Sequence, residues 1–88
     1  MVNDWIIYIL RCSDNSLYTG ITKNIAKRVG EHNAGGRLAA KYTRARRPVS
    51  LVYEERAVSR SEATRREYEI KRMDKKTKES LVSDYNAK

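Results

Sequence analysis

The chain has 88 residues, with 19 Lys plus Arg against 11 Asp plus Glu, a formal net charge of +8 and a sequence pI near 9.9; that is one small basic domain, residues 1–88, too short for a second core. A lone Cys12 excludes an internal disulfide framework and, with His32 the single histidine, a Cys/His zinc site. No run approaches the roughly 20 apolar residues of a membrane span, and Met1-Val-Asn-Asp-Trp5 has no basic segment ahead of an apolar one, so no leader and a reduced, cytoplasmic setting are expected.

Trp5-Ile-Ile-Tyr-Ile-Leu10 is a continuous apolar run, the pattern of a strand covered on both faces. Ser13-Asp-Asn-Ser16 separates it from Leu17-Tyr-Thr-Gly-Ile-Thr22, which gives a β-hairpin. The turn decides how two tyrosines relate. A two-residue loop at Asp14 and Asn15 would oppose Tyr18 to Arg11 and put Tyr8 and Tyr18 on opposite faces. A three-residue loop over 14–16 opposes Tyr18 to Cys12 and puts both rings on one face; the tolerance of Asn15 and Ser16 for irregular turns favours it.

Asn24 suits the N-cap of a helix running to about residue 33, with Gly35-Gly36 at its exit. Ile25, Val29 and His32, at i, i+4 and i+7, share a face, so the histidine is aimed at the sheet while Arg28 sits one turn earlier on the adjoining edge. A basic loop then runs to Pro48. A third strand is expected over 49–54, entered at Pro48. Ser59-Arg-Ser-Glu62 has the spacing of a capping box and introduces a helix over 62–73, and a last basic helix follows over 75–84. The order β-β-α-loop-β-α-α predicts an α+β domain with a three-stranded, mainly antiparallel sheet flanked by helices.

The charge is unevenly spread: residues 1–20 carry −1, residues 21–47 carry +7 and residues 48–88 carry +2. The C-terminal stretch alternates signs as solvent-facing helices do. The middle stretch contains Arg37, Lys41, Tyr42, Arg44, Arg46 and Arg47 with no acid among them, a composition suited to phosphate contacts with a stacking ring; a solubilising loop is the blander alternative. Glu67 lies between Ala63 and Ile70 on one helix face, which aims a carboxylate inward. That placement is costly unless the group is paired, protonated or bound to a metal ion, and the structural alternatives are an internal ion pair with an arginine or a Glu at the edge of that face. Six tyrosines and no phenylalanine indicate that hydroxyls are wanted as well as aromatic bulk.

Tyr8 within Ile6-Ile7-Tyr8, Tyr18-Thr19-Gly20, Arg28, His32 and Glu67, taken together, resemble the GIY-YIG nuclease superfamily, which includes homing endonucleases and the incision module of bacterial excision repair of DNA. Tyr18-Thr-Gly-Ile-Thr22, Lys41-Tyr-Thr-Arg44, Arg47-Pro-Val49 and Glu62-Ala63 with Glu67 and Ile70-Lys71 are similar to its short, stand-alone bacterial branch. The resemblance covers about residues 4–80. It implies a three-stranded antiparallel sheet flanked by helices and an active site on one sheet face that cleaves DNA phosphodiesters with a single Mg²⁺ or Mn²⁺. Carried over by position, Glu67 would hold the ion, Arg28 would stabilise charge on the scissile phosphate, Tyr8 and Tyr18 would position or deprotonate the attacking water, and His32 would assist that proton transfer.

Two positions depart from the family pattern. Ile6 stands at the first glycine of the name motif, a backbone position, and Ile21 stands where several relatives carry a lysine near the general-base tyrosine, which would either weaken water activation or leave it to another base such as Lys41. The implied partner is DNA, or RNA as a related polyanion, with no membrane and with a protein partner for targeting as a further option. No element for base readout is evident, so recognition of backbone or structure is expected over sequence. The rival readings are a non-catalytic nucleic-acid-binding module on the same scaffold and a protein-interaction adaptor.

Overall fold

The first strand, β1 (Trp5–Arg11), organises the chain because both of its faces are apolar. In the computed structural model, residues 4–87 are described; Met1, Val2, Asn3 and Lys88, the ends of the expected 1–88 domain and most of the segment read as lacking a leader, lie outside the described residues. β1 is the central strand of a sheet ordered β2-β1-β3, with β2 (Leu17–Thr22) and β3 (Ser50–Ala57) both antiparallel to it. Ile7 and Ile9 point to one side, where they pack with Tyr53, Ala63, Ile70 and Val82 beneath α3 (Arg60–Lys71) and α4 (Lys75–Asn86). Ile6, Tyr8 and Leu10 point to the other, where Cys12, Val49, Tyr18, Ile25 and Val29 close a second cluster beneath α1 (Ile25–Ala34). Each isoleucine so buried stabilises the fold by roughly 1.5–3 kcal/mol, so the alternation in β1 supports both helical layers. The expected α+β architecture is therefore the observed one.

The hairpin differs from the expectation in one respect. Its loop has three residues, but they are 13–15: the Cys12 N–H donates to the Ser16 carbonyl at 2.9 Å and the Asn15 N–H donates to the Cys12 carbonyl at 2.9 Å. Tyr18 consequently opposes Leu10, not Cys12, and Leu17 opposes Arg11. Asn15 closes the loop in the left-handed region (φ 69°), and the Asp14 carboxylate accepts the Ser16 N–H at 3.0 Å, so local side-chain chemistry fixes the earlier turn. The shift is by two in register, an even number, so Tyr8 and Tyr18 still share a face.

Other boundaries moved for identifiable reasons. Asn24 caps α1 by accepting the Lys27 N–H at 3.1 Å, and Gly35 ends the helix with φ 72°. The basic loop contains one helical turn, α2 (Lys41–Arg44), because the Ala40 carbonyl accepts the N–H groups of Thr43 and Arg44 at 3.1 and 3.2 Å. β3 continues to Ala57, three residues past the expected end; as an edge strand it keeps Glu54, Glu55 and Arg56 in contact with water while its backbone stays paired to β1. Ser59 caps α3 by accepting the Glu62 N–H at 3.2 Å, so the helix starts at Arg60 and ends at Lys71, two residues earlier at each end than expected. Asp74 caps α4 through the Thr77 N–H at 2.8 Å, and the helix runs two residues beyond residue 84.

Candidate active site

Tyr8 leaves β1 on the α1 side and lies flat across β2, over its paired residue Gly20. A Cβ at position 20 would stand 2.5 Å from Tyr8 Oη and 2.6 Å from its Cζ, so only a residue without a side chain lets the ring cross the strand. The crossing brings the Tyr8 hydroxyl to His32 on α1, with Oη 2.9 Å from Nε2. The other ring nitrogen, Nδ1, lies 2.8 Å from Thr43 Oγ1 on α2. Tyr8, His32 and Thr43 are 1%, 0% and 0% exposed, so all three side chains are buried.

Around it stand the remaining expected site residues. The half-buried Tyr18 ring lies 5.3 Å from that of His32 and 6.4 Å from that of Tyr8, centroid to centroid. Arg28, one turn before His32, donates to Glu31 Oε1 at 3.0 Å and to the Leu38 carbonyl, and its guanidinium neighbours the Tyr8 hydroxyl. Glu67 reaches the same region from α3, near enough that its charge acts on Tyr8. It is not the inward core group that the helix face suggested: its side chain keeps 20% exposure, and its partner is Lys71 on the same helix at 3.1 Å, not an arginine across the core. Ala63 and Ile70 alone fill the buried face of α3.

Residues 4–80 of the chain match the GIY-YIG catalytic domain. The chain belongs to the GIY-YIG family. Among its relatives, a UPF0213 protein of Desulfotalea psychrophila is 54% identical over 78 residues, which is 89% of this chain and 70% of the relative. A UPF0213 protein of Staphylococcus haemolyticus is 53% identical over 78 residues, 89% of this chain and 93% of that one. The solution NMR structure of a UPF0213 protein from Bacillus halodurans shares the fold with a TM-score of 0.58 at 44% identity, covering 91% of this chain and 83% of its own. The GIY-YIG domain is a nuclease-type domain, and the short, stand-alone organisation of these relatives is the one the sequence resembles.

Two GIY-YIG positions are electrostatically unusual. Burial is the main cause that pushes the Tyr8 phenol up to about 12, with the charges of Tyr18 and Glu67 adding to it and the Arg28 guanidinium opposing it. Burial, followed by the Arg28 charge, takes the His32 imidazole down to about 4, with Glu31 opposing. At neutral pH the pair is a neutral phenol on a neutral imidazole. Ile21, at the position where the resemblance placed a lysine, pairs with Ile7 and packs in the α3-side cluster, facing away from both tyrosines. The base in hydrogen-bond contact with Tyr8 is His32.

The basic loop is used differently from residue to residue. Arg44 donates to the Ala39 carbonyl at 3.4 Å, Arg46 donates to Asp14 at 3.1 Å and to the Tyr42 carbonyl at 2.9 Å, and Arg47 donates to the Arg44 carbonyl at 2.9 Å. These three pin the loop to itself and to the hairpin tip. Tyr42 stacks on Tyr18, with centroids 6.0 Å apart, and carries the Arg46 guanidinium 3.9 Å over its ring, so it extends the tyrosine cluster. Arg37 and Lys41 are exposed. The composition of the sequence gave no sign of Thr43, buried within this loop, or of Asn33, whose amide pairs with Val49 by donating to its carbonyl at 3.0 Å and accepting its N–H at 2.7 Å.

Among the described residues no three His, Cys, Asp or Glu side chains converge on a point. Glu67 nonetheless fits an ion of the Mg²⁺ type, which takes one or two carboxylates and completes its shell with water and substrate phosphate oxygens. The Lys71 pairing is exposed and worth little, so it does not compete strongly for the carboxylate.

Proposed function

We propose that this single domain is a metal-dependent nuclease that hydrolyses DNA phosphodiester bonds, directed by backbone or structure more than by base sequence. The observation that carries the reading is the 2.9 Å contact between the Tyr8 hydroxyl and a neutral, buried imidazole on the α1 side of the sheet, beside Tyr18 and Arg28 and within reach of the Glu67 charge from α3. A phosphodiester hydrolase needs a positioned water, a route for its proton and cationic stabilisation of charge on the phosphate, and these side chains provide each. Tyr8 and Tyr18 position the water. As its proton reaches Tyr8 Oη, the proton already on Tyr8 moves to His32 Nε2; once the P–O bond breaks, His32 gives that proton back to Tyr8 and Tyr8 releases one to the leaving oxygen. The Arg28 guanidinium offers planar donors to the non-bridging oxygens. A single Mg²⁺ or Mn²⁺ held by Glu67 would supply Lewis-acid polarisation of the phosphate.

A reduced, cytoplasmic setting belongs to the same proposal, and the lone, buried Cys12 fits it. The test is incubation of single-stranded, duplex and branched DNA, with RNA alongside, in Mg²⁺ or Mn²⁺. Cleavage is expected on at least one DNA, and Glu67→Ala is expected to reduce it by about 100-fold or more while the far-ultraviolet circular dichroism stays unchanged. No cleavage of any DNA, or equal cleavage by Glu67→Ala, would overturn the reading. Salt-sensitive binding without cleavage, indifferent to Glu67→Ala, would establish the non-catalytic binding module instead.

A further inference from the structure

Thr43 has no role in any reading above, yet it is a fully buried hydroxyl in a loop whose bases are exposed or half-buried. Three contacts run in series: Thr43 Oγ1 to the Ala40 carbonyl at 3.0 Å, His32 Nδ1 to Thr43 Oγ1 at 2.8 Å, and His32 Nε2 to Tyr8 Oη at 2.9 Å. Each needs a proton between its heavy atoms, since two facing lone pairs at such distances repel. A neutral imidazole has one N–H, and each hydroxyl has one O–H, so three protons serve three contacts. The Ala40 carbonyl has none to give. Thr43 must therefore donate to Ala40, His32 must donate from Nδ1 to Thr43, and Tyr8 must donate to Nε2.

We infer that Thr43 is a positioning residue that, through its bond to the Ala40 carbonyl, fixes His32 as the Nδ1–H tautomer and so presents a bare Nε2 to the Tyr8 proton. The use of that nitrogen in catalysis rests on the nuclease reading; the tautomer does not. The reverse tautomer would put an N–H against Tyr8 and leave it nowhere to pass a proton. The imidazole is held neutral by burial and Arg28, consistent with a ring that carries a single N–H. The short helix α2 gains a purpose as well: it lifts Thr43 under His32, while the same turn supplies the carbonyl that takes the hydroxyl proton. The role resembles that of the outer partners of metal-bound histidines, where the bond at one ring nitrogen decides what the other can do.

The experiment is two-bond ¹H–¹⁵N NMR on the intact, ¹⁵N-labelled protein at neutral pH, which distinguishes a protonated from a bare ring nitrogen. The wild-type chain is expected to show Nδ1 protonated and Nε2 bare. Thr43→Val removes the acceptor at nearly constant volume and is expected to shift the ring towards Nε2–H, and Thr43→Ser is expected to restore the wild-type pattern. In the nuclease assay Thr43→Val is expected to lower kcat about tenfold to 100-fold with KM little changed, with recovery in Thr43→Ser. An Nε2–H tautomer in the wild type would overturn the inference and needs no variant to fold. An unchanged tautomer in folded Thr43→Val would overturn it equally. If the wild type cleaves no DNA, the nuclease reading falls while the tautomer measurement still decides the role of Thr43.

Discussion

His32 combines two properties that compete: it is fully buried, and it is titratable near physiological pH. The fold resolves the conflict by keeping it neutral between Tyr8 and Thr43, with Arg28 adding a charge that discourages protonation and Glu31 partly offsetting it. Its affinity for a proton is about 4 in the folded chain and 6.5 in the ordinary state, so between those values the unfolded chain binds the proton and the native one does not. The corresponding stability is complete above pH 6.5 and is lost as the pH falls towards 4, by at most about 3 kcal/mol. Urea unfolding at pH 7, 5.5 and 4 should show this decline in the wild type and a flatter profile in His32→Asn. Parallel profiles would mean that the ring is not held neutral by the fold.

At the level of elements, the clearest device is the attachment of α4 to the end of β1. Arg11 donates from Nη2 to Glu79 Oε1 at 2.7 Å and from Nη1 to Oε2 at 2.8 Å, a bidentate fork. Lys75 adds contacts to Glu79 at 3.1 Å and to the Asn15 carbonyl at 2.8 Å, tying the helix to the hairpin tip. The Arg11 bonds bring the Glu79 carboxyl down to about 2 from 4.5, against an opposing effect of burial that outweighs the further lowering by the Lys75 bond. A lowered carboxylate stabilises above its ordinary value and ceases to as pH falls towards 2, so the window lies below that of His32. Because the pair is about one-third exposed, solvent screening reduces it to about 1 kcal/mol. Glu79→Gln should cost that amount in urea unfolding at pH 7, and the difference from wild type should close near pH 2; an equal difference at both pH values would remove the ion pair as its cause.

For the whole molecule the governing quantity is charge. Most of the +8 excess lies in residues 21–47, but the tertiary structure divides those bases into two kinds. Arg28, Arg44, Arg46 and Arg47 are bound to carbonyls or carboxylates of the chain and Lys23 lies over the Trp5 ring, whereas Lys27, Arg37 and Lys41 are exposed with no such partner among the described residues. Within the loop, the unpartnered Arg37 and Lys41 should therefore account for more of the nucleic-acid contact than the loop's composition suggests. In anisotropy titrations with duplex DNA over a range of salt, Arg37→Ala and Lys41→Ala should each reduce the slope of log affinity against log salt by about one. Arg47→Ala should instead act mainly on stability, through the carbonyls it ties together. A slope unchanged in the Arg37/Lys41 double variant would place the backbone contacts elsewhere.

The sequence was sufficient wherever a local rule had one solution. The two-faced apolar run of β1, the caps Asn24 and Ser59, and the inward stripe of Ile25, Val29 and His32 each follow from periodicity or short-range hydrogen bonding, and the structure repeats them. It was insufficient where the deciding partner is remote in the chain. The turn moved by one residue because of the Asp14 and Asn15 side chains, β3 ran on because only pairing to β1 sustains a polar edge strand, and three loop arginines were taken up by carbonyls that the fold brings to them. The site divides in the same way. Tyr8, Tyr18, Arg28, His32 and Glu67 could be proposed from the chain through family spacing, although the inward placement read for Glu67 did not hold. Thr43 could not: its meaning depends on a 2.8 Å approach to a ring eleven residues away, and only the packing of α2 against α1 creates that distance.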